Sequence, residues 1–413
     1  MRPENSEVRC TAFKTSFVVG ESCLVLSGID FCRGLISRVR SCGQFVHLSA
    51  NNSYQFVWYA VLIRRWRRCF QSGQYEAALI AADRLSQRLA AMLPDGQPNL
   101  VPKLMTLLML GRDQECQPLL KLVRSQILHN RIGASEVKVA RYYLGLAIAR
   151  SGDVLTASGW FDSSLEIPSL CRDDELIDIA TLLTSSDLFL AYSDIEFAER
   201  MAKEAMSKAQ RLGDAGASSI AECLLRLAKV ILLHGDDDER AISMLEEALT
   251  LLSKQHLKST LLHVHTLCLL AVTYTDRNAS WAREFAEEAL RLSHSQPIEC
   301  EHVRLSAKVT LACIKAYDGE RDKALSELSG AIAEAEKTLG ANHPSILACQ
   351  AVRIVVKRGF GDINSADDSE IRRISNSLPK LHALQQFLDM LQRLEPGTVP
   401  ALQKTCAASI LPL

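Results

Sequence analysis

With 413 residues, 48% hydrophobic and 23% charged, and a formal net charge of −1, the chain has apolar surface for an extensive core and no charge excess of either sign. That balance argues against a nucleic-acid-binding chain and against a disordered acidic one. Its thirteen cysteines include no CxxC pair, and no run of eighteen apolar residues exists to span a membrane.

Residues 1–55 show scattered glycines and short β-prone pieces such as FVVG and CLVL, with little helical periodicity. They are expected to be a poorly ordered or loosely packed N-terminal segment. The start MRPENSEVRC carries Glu4 and Glu7 and lacks the compact apolar core of a secretory signal. The first sixty residues are rich in Ser, Cys and Arg, so an organelle transit peptide stays open; Glu4, Glu7, Glu21 and Asp30 weigh against it. The cysteines at 116, 223, 268, 313 and 349 fall inside helical apolar patterns. They read as buried, reduced thiols, which points to a reducing compartment, cytoplasmic or nuclear.

The helical region opens with a basic run, Arg64-Arg65-Trp66-Arg67-Arg68. The favoured reading places the arginines on a solvated face and Trp66 inward, among Trp58, Tyr59 and Phe70. A contact with an acidic partner is the alternative.

From here one layout recurs: a helix, a small or polar turn, then a second helix opening on alanine. In ARYYLGLAIARSGDVLTASGWFDSSLEIP, residues 140–168, Gly145 sits in the first helix and Gly152-Asp153 form the turn. Ala157, Phe161 and Ser164 then share one face of the second helix. The same frame starts at Gly73, Gly111, Ser193, Gly235, Arg277 and Gly319. Its leading small residues are Ala78, Cys116, Ala157, Ala198, Ala241, Ala282 and Ala324, at intervals of 38, 41, 41, 43, 41 and 42. Gly145, Ser186, Ala228 and Ala312 occupy the close-approach position of the preceding helices, whereas Trp66, Leu104 and Leu270 fill it in the other three.

These residues resemble the tetratricopeptide repeat: a small residue in the first helix, a turn glycine, and an alanine opposite. The common period is about 34 residues, so this chain adds about seven per unit, two helical turns. That longer period is similar to the kinesin-light-chain type. The string AEAEKTLGANHPSILACQ, residues 333–350, supports it, with Leu339-Gly340 ending one helix and His343-Pro344 beginning the next. The resemblance implies an all-α, right-handed superhelical solenoid of helix-turn-helix repeats. About seven repeats would span 56–358, followed by C-terminal capping helices at 359–395 and a mobile tail at 396–413. Residues 362–370, DINSADDSE, read as a polar loop before the cap.

Catalytic signatures are missing: no phosphate loop, no GxGxxG, no HExxH and no GxSxG. HVHTLC, residues 263–268, has no further ligand at metal spacing, and the runs Asp173–Glu175 and Asp236–Glu239 sit at helix starts, where carboxylates complement the helix dipole. The chain therefore reads as no enzyme, with no cofactor and no small-molecule substrate. Its expected partners are other proteins, held as a peptide or helix in the concave groove. In the family's frame the first helices present Tyr142, Arg150, Lys229, Tyr274 and Tyr317 to that groove, with Leu146, Leu183, Asp187, Glu222, Val264, Val309 and Cys313 beside them. The Lys and Asn residues that grip a chaperone's terminal carboxylate, and the asparagines of kinesin-light-chain cargo grooves, have no counterparts here. A structural subunit of a larger assembly is the alternative.

Overall fold

The computed structural model describes residues 61–70, 74–92, 99–110, 112–129, 134–151, 153–191, 194–234, 237–254, 261–294, 301–341, 343–361 and 365–377. The N-terminal segment 1–55, the tail from 396, Trp58 and Tyr59 lie outside them. Residues 61–70 (α1) are helical. After them come α2 (Tyr75–Met92), α3 (Val101–Leu110), α4 (Asp113–Leu128), α5 (Ala134–Arg150), α6 (Val154–Leu165), α7 (Arg172–Ala191) and α8 (Ile195–Arg211). The second half holds α9 (Ala217–His234), α10 (Asp238–Lys254), α11 (Leu261–Tyr274), α12 (Ala279–Ser293), α13 (Glu301–Tyr317), α14 (Arg321–Leu339), α15 (Pro344–Gly359) and α16 (Ser365–Ser377). No strand occurs among the described residues.

The second helices start where short polar side chains satisfy the free amides of the first turn. Asp153, Asp194, Asp237 and Asn278 each accept from the amide three residues on, at Thr156, Phe197, Arg240 and Trp281. Behind these caps comes a small-residue face. Ala198, Ala202, Ala205 and Ala209 are fully buried along α8, as are Ala282, Ala286 and Ala289 along α12. Alanine adds no bulk, so the partner helix approaches closely. Gly145 shows how close: a Cβ built there would lie 2.7 Å from Phe161 Cε1 and 3.2 Å from Trp160 Cβ. At the matching position of α7, Ser186 is fully buried and its hydroxyl donates to the Ala198 carbonyl at 2.8 Å.

Pairs α5–α6, α7–α8, α9–α10, α11–α12 and α13–α14 pack most extensively. Each first helix also meets the first helix of the next pair, along the series α3, α5, α7, α9, α11, α13 and α15. Second helices share no comparable packing with one another among the described residues. First helices therefore form the tighter inner layer and second helices the outer one. The result is an all-α, right-handed superhelical solenoid of tetratricopeptide-like pairs, its core strung along the array and not gathered at one centre.

Trp66 is 2% exposed and donates to Thr106 Oγ1 at 3.0 Å, while Arg64, Arg65 and Arg68 point to solvent. Cys116, Cys223, Cys268, Cys313 and Cys349 are all buried free thiols. The polar stretch at 362–370 departs from the expected loop, because α16 already begins at Ser365. Asp367 and Asp368 sit in its first turn, where they complement the dipole and take ion pairs from Lys357 at 3.1 Å and Arg358 at 2.6 Å.

Close approach at Gly145 predicts an inverted glycine-to-alanine effect. Ordinarily the change in a helix stabilises by about 0.5–1 kcal/mol. That is the expected outcome at Gly330 in α14, where nothing lies within 4 Å of an added Cβ. Gly145→Ala should instead destabilise by about 1–2 kcal/mol, because Phe161 must shift. Chemical denaturation of both variants checks the opposite signs.

Candidate functional site: the inner helix layer

Polar side chains cross between neighbouring first helices at about one repeat's separation. Tyr142 on α5 reaches Thr184 Oγ1 on α7 at 3.3 Å. Arg150 Nη1, also on α5, donates to the Leu108 carbonyl on α3 at 2.8 Å and lies 3.4 Å from Asp113 Oδ1. Asp187 on α7 takes Arg226 Nε at 2.7 Å and Lys229 Nζ at 3.1 Å, both from α9. Arg226 Nη2 also stands 3.5 Å from Glu222 Oε1, one turn earlier on α9.

This cluster is nearly sealed, with the Asp187 side chain 1% exposed and that of Lys229 8%. Burial opposes its ionisation, yet Arg226 and Lys229 hold the Asp187 carboxyl below the usual carboxylate range. Glu222 goes the other way: burial raises it, Asp187 adds to the rise, and Arg226 only partly offsets them. Its Oε2 is buried and accepts no hydrogen bond. The Tyr142 hydroxyl is pushed up to about 12, chiefly by burial, with the Thr184 hydrogen bond opposing and the Glu222 charge adding. Glu222 and Arg226 belong to α9, so α5 feels side chains from two pairs away across α7.

Of the five side chains expected on the groove, Tyr142, Arg150 and Lys229 lie in this polar network. Tyr274 and Tyr317 do not join it. Tyr274, the last residue of α11, packs its ring against Trp281 at 5.3 Å and Phe285 at 5.7 Å on α12. Its hydroxyl donates to Glu246 Oε1 on α10 at 3.1 Å. Tyr317 ends α13, is 40% exposed, and interacts with Asp276 in the α11–α12 turn. Both therefore belong to the turn edge. Thr184 and Arg226 were not legible as site residues in the sequence. A charge-complement search one period along would have found Arg226, since it stands 39 residues after Asp187.

Among the described residues no group of His, Cys, Asp and Glu side chains is placed to hold a metal ion, and no helix is long and apolar enough to cross a membrane.

No family model matches the chain, and no curated protein matches it. Solved structures do. A Rap protein complexed with competence and sporulation factor superposes with a TM-score of 0.58 at 12% identity, covering 85% of this chain and 97% of that one. The apo form of RapI gives 0.45 at 14%, covering 77% and 86%, and BtubC from P. vanneervenii gives 0.41 at 15%, covering 57% and 94%. At these identities the first of them shares the helical-repeat fold.

The opposite shifts of the two carboxylates give opposite pH signatures. For Asp187 the folded value is depressed, so its stabilisation is present above the unfolded value near about 4 and is lost as pH falls through the folded value. Asp187→Asn strands two buried cations and should cost on the order of 3 kcal/mol near neutral pH, with the deficit shrinking in acid. For Glu222 the folded value is raised, so its favourable contribution is present below the unfolded value near about 4 and is lost as pH rises through the folded value. Glu222→Gln should therefore gain on the parent as pH rises from about 4 through the raised folded value. Denaturant midpoints across pH read both trends.

Proposed function

We propose that the chain is a non-catalytic protein-interaction scaffold that holds a partner's extended segment or helix against the inner layer of first helices. The observation that carries this reading is the polar network joining α5, α7 and α9 in that layer, a hydroxyl pair between the first two and ion pairs between the last two. A solenoid needs only apolar and small residues to stack, and buried ion pairs contribute little net stability over apolar side chains of similar volume. Paired with one another and nearly sealed, these groups fix the register of the first helices, whose remaining faces are the surface offered to a partner. A Rap protein of similar fold was solved in complex with a factor, which supports a binding role for such an array.

Tyr142, Arg150 and Lys229 are assigned to the inner contact, and Tyr274 and Tyr317 to its turn edge. The array is taken to run over 56–358 with a cap at 359–395, and the spacing of its small residues resembles that of the long-period, kinesin-light-chain-like type. A reducing compartment, cytoplasmic or nuclear, suits its buried thiols.

A second reading, a structural subunit of a larger assembly, is favoured by apolar side chains outside the inner layer. Leu122 and Leu128 on α4, Leu155 on α6 and Leu170 in the following connector are 53%, 64%, 79% and 90% exposed.

Affinity purification with quantitative mass spectrometry separates the two. Tyr142→Phe/Lys229→Met alters the inner layer with little change in volume, and Leu122→Glu/Leu155→Glu alters the outside. The scaffold reading expects the first variant to lose partners that the second retains. The reverse pattern establishes the subunit reading in its place.

A further inference from the structure

Two places far apart in the chain touch. His343 Nε2 lies 2.9 Å from Asp113 Oδ2, across 230 residues of sequence. Beside it, Gln114 Nε2 donates to the Leu339 carbonyl at 3.5 Å. Asp113 and Gln114 open α4, at the turn edge of their pair; Leu339 ends α14 and His343 caps α15, at the connector edge five pairs further along the array. The turn edge of one winding therefore rests on the connector edge of the next.

The chemistry of this contact is specific. His343 Nδ1 accepts from the Ser345 amide as the cap of α15, so Nε2 carries the proton and donates it to Asp113. Asp113 is held from behind by Arg150, itself anchored on the Leu108 carbonyl. Asp113 is 7% exposed and His343 8%. The intervening Gly340 has φ +91°, and a Cβ added there would fall 1.9 Å from Gln114 Nε2. Glycine suits that backbone, and a side chain there would turn the Gln114 amide away from the Leu339 carbonyl. The helices on the two edges otherwise share no extended packing among the described residues.

We propose that Asp113 and Gln114 form, with Leu339, Gly340 and His343, a clasp that fixes the winding of the superhelix and closes the trough between its two edges. A few side chains hold it, while each helix pair is held by its own core. The clasp therefore parts without unfolding the repeats, and its parting is the motion that exposes the inner layer from the side. This inference is independent of what the trough binds.

Small-angle scattering and amide hydrogen exchange on the full chain test it. His343→Asn keeps a capping side chain for α15 and loses the reach to Asp113. Gly340→Ala turns the Gln114 amide out of its hydrogen bond with the Leu339 carbonyl. Gly319→Ala is the control: its φ is +84° with nothing within 4 Å of an added Cβ, so it carries backbone strain without touching another winding. Gln114→Ala, on an exposed side chain, tests the opposite edge without touching the cap or Gly340. The clasp predicts a larger radius of gyration for His343→Asn, Gly340→Ala and Gln114→Ala with helical circular dichroism unchanged. It also predicts exchange at least about tenfold faster around residues 113–116 and 339–345. Gly319→Ala should match the parent. Unchanged dimensions in Gln114→Ala and His343→Asn, or equal expansion in Gly319→Ala, overturn the proposal.

Discussion

Everything in this array follows from how near a second helix can come to the first. At Gly145 the first helix has no side chain, and the Phe161 ring occupies the space a Cβ would need. At Ser186 the side chain is short enough to bond the backbone of α8 directly. Ala228 and Ala312 repeat the theme, fully buried. Close approach lets each pair act as a thin slab, and thin slabs stack with the small rotation that generates a superhelix. Where the position is Leu104 or Leu270 the slab still forms, and those side chains are also fully buried.

Stacking decides which chemistry is exposed. First helices meet first helices, so their remaining faces form one continuous inner surface. Behind that surface, between α7 and α9, Asp187, Arg226, Lys229 and Glu222 are desolvated and largely neutralise one another. Glu222 keeps an oxygen without a donor, and burial raises its proton affinity in consequence. Outer surfaces show a different pattern, with leucines such as Leu155 exposed along second helices and connectors.

Much of the fold is legible in the sequence, because alanines at forty-odd-residue spacing are a direct record of helix nesting. Asp153, Asp194 and Asn278 stand at the expected turns as well, and cap the helices that follow. The site is less legible. Tyr274 is at an inward position by family frame, yet Trp281 and Phe285 draw its ring between the outer helices. Aromatic side chains at helix ends follow the nearest apolar gap, which a frame of spacings does not encode. The helical start at Ser365 was hidden by composition, since DINSADDSE has few apolar residues and its tethers to Lys357 and Arg358 are tertiary. The contact between Asp113 and His343 has no local signature at all, because superhelical pitch emerges only when all the pairs are stacked.

If the array is modular, a whole unit can leave it without disturbing the rest. Deleting residues 241–281 joins Arg240 to Ala282 and removes one interval of 41 residues with the nesting register and the Asp187 ion pairs intact. Urea unfolding followed by circular dichroism reads the result. The solenoid predicts a monomeric chain that unfolds cooperatively, with helical signal reduced in proportion to the residues removed. A deletion shortened by about four residues, one helical turn out of register, should lose that cooperativity. If the in-register chain instead collapses to a molten or aggregated state like the out-of-register one, the helices share a single closed core and the repeat description is wrong.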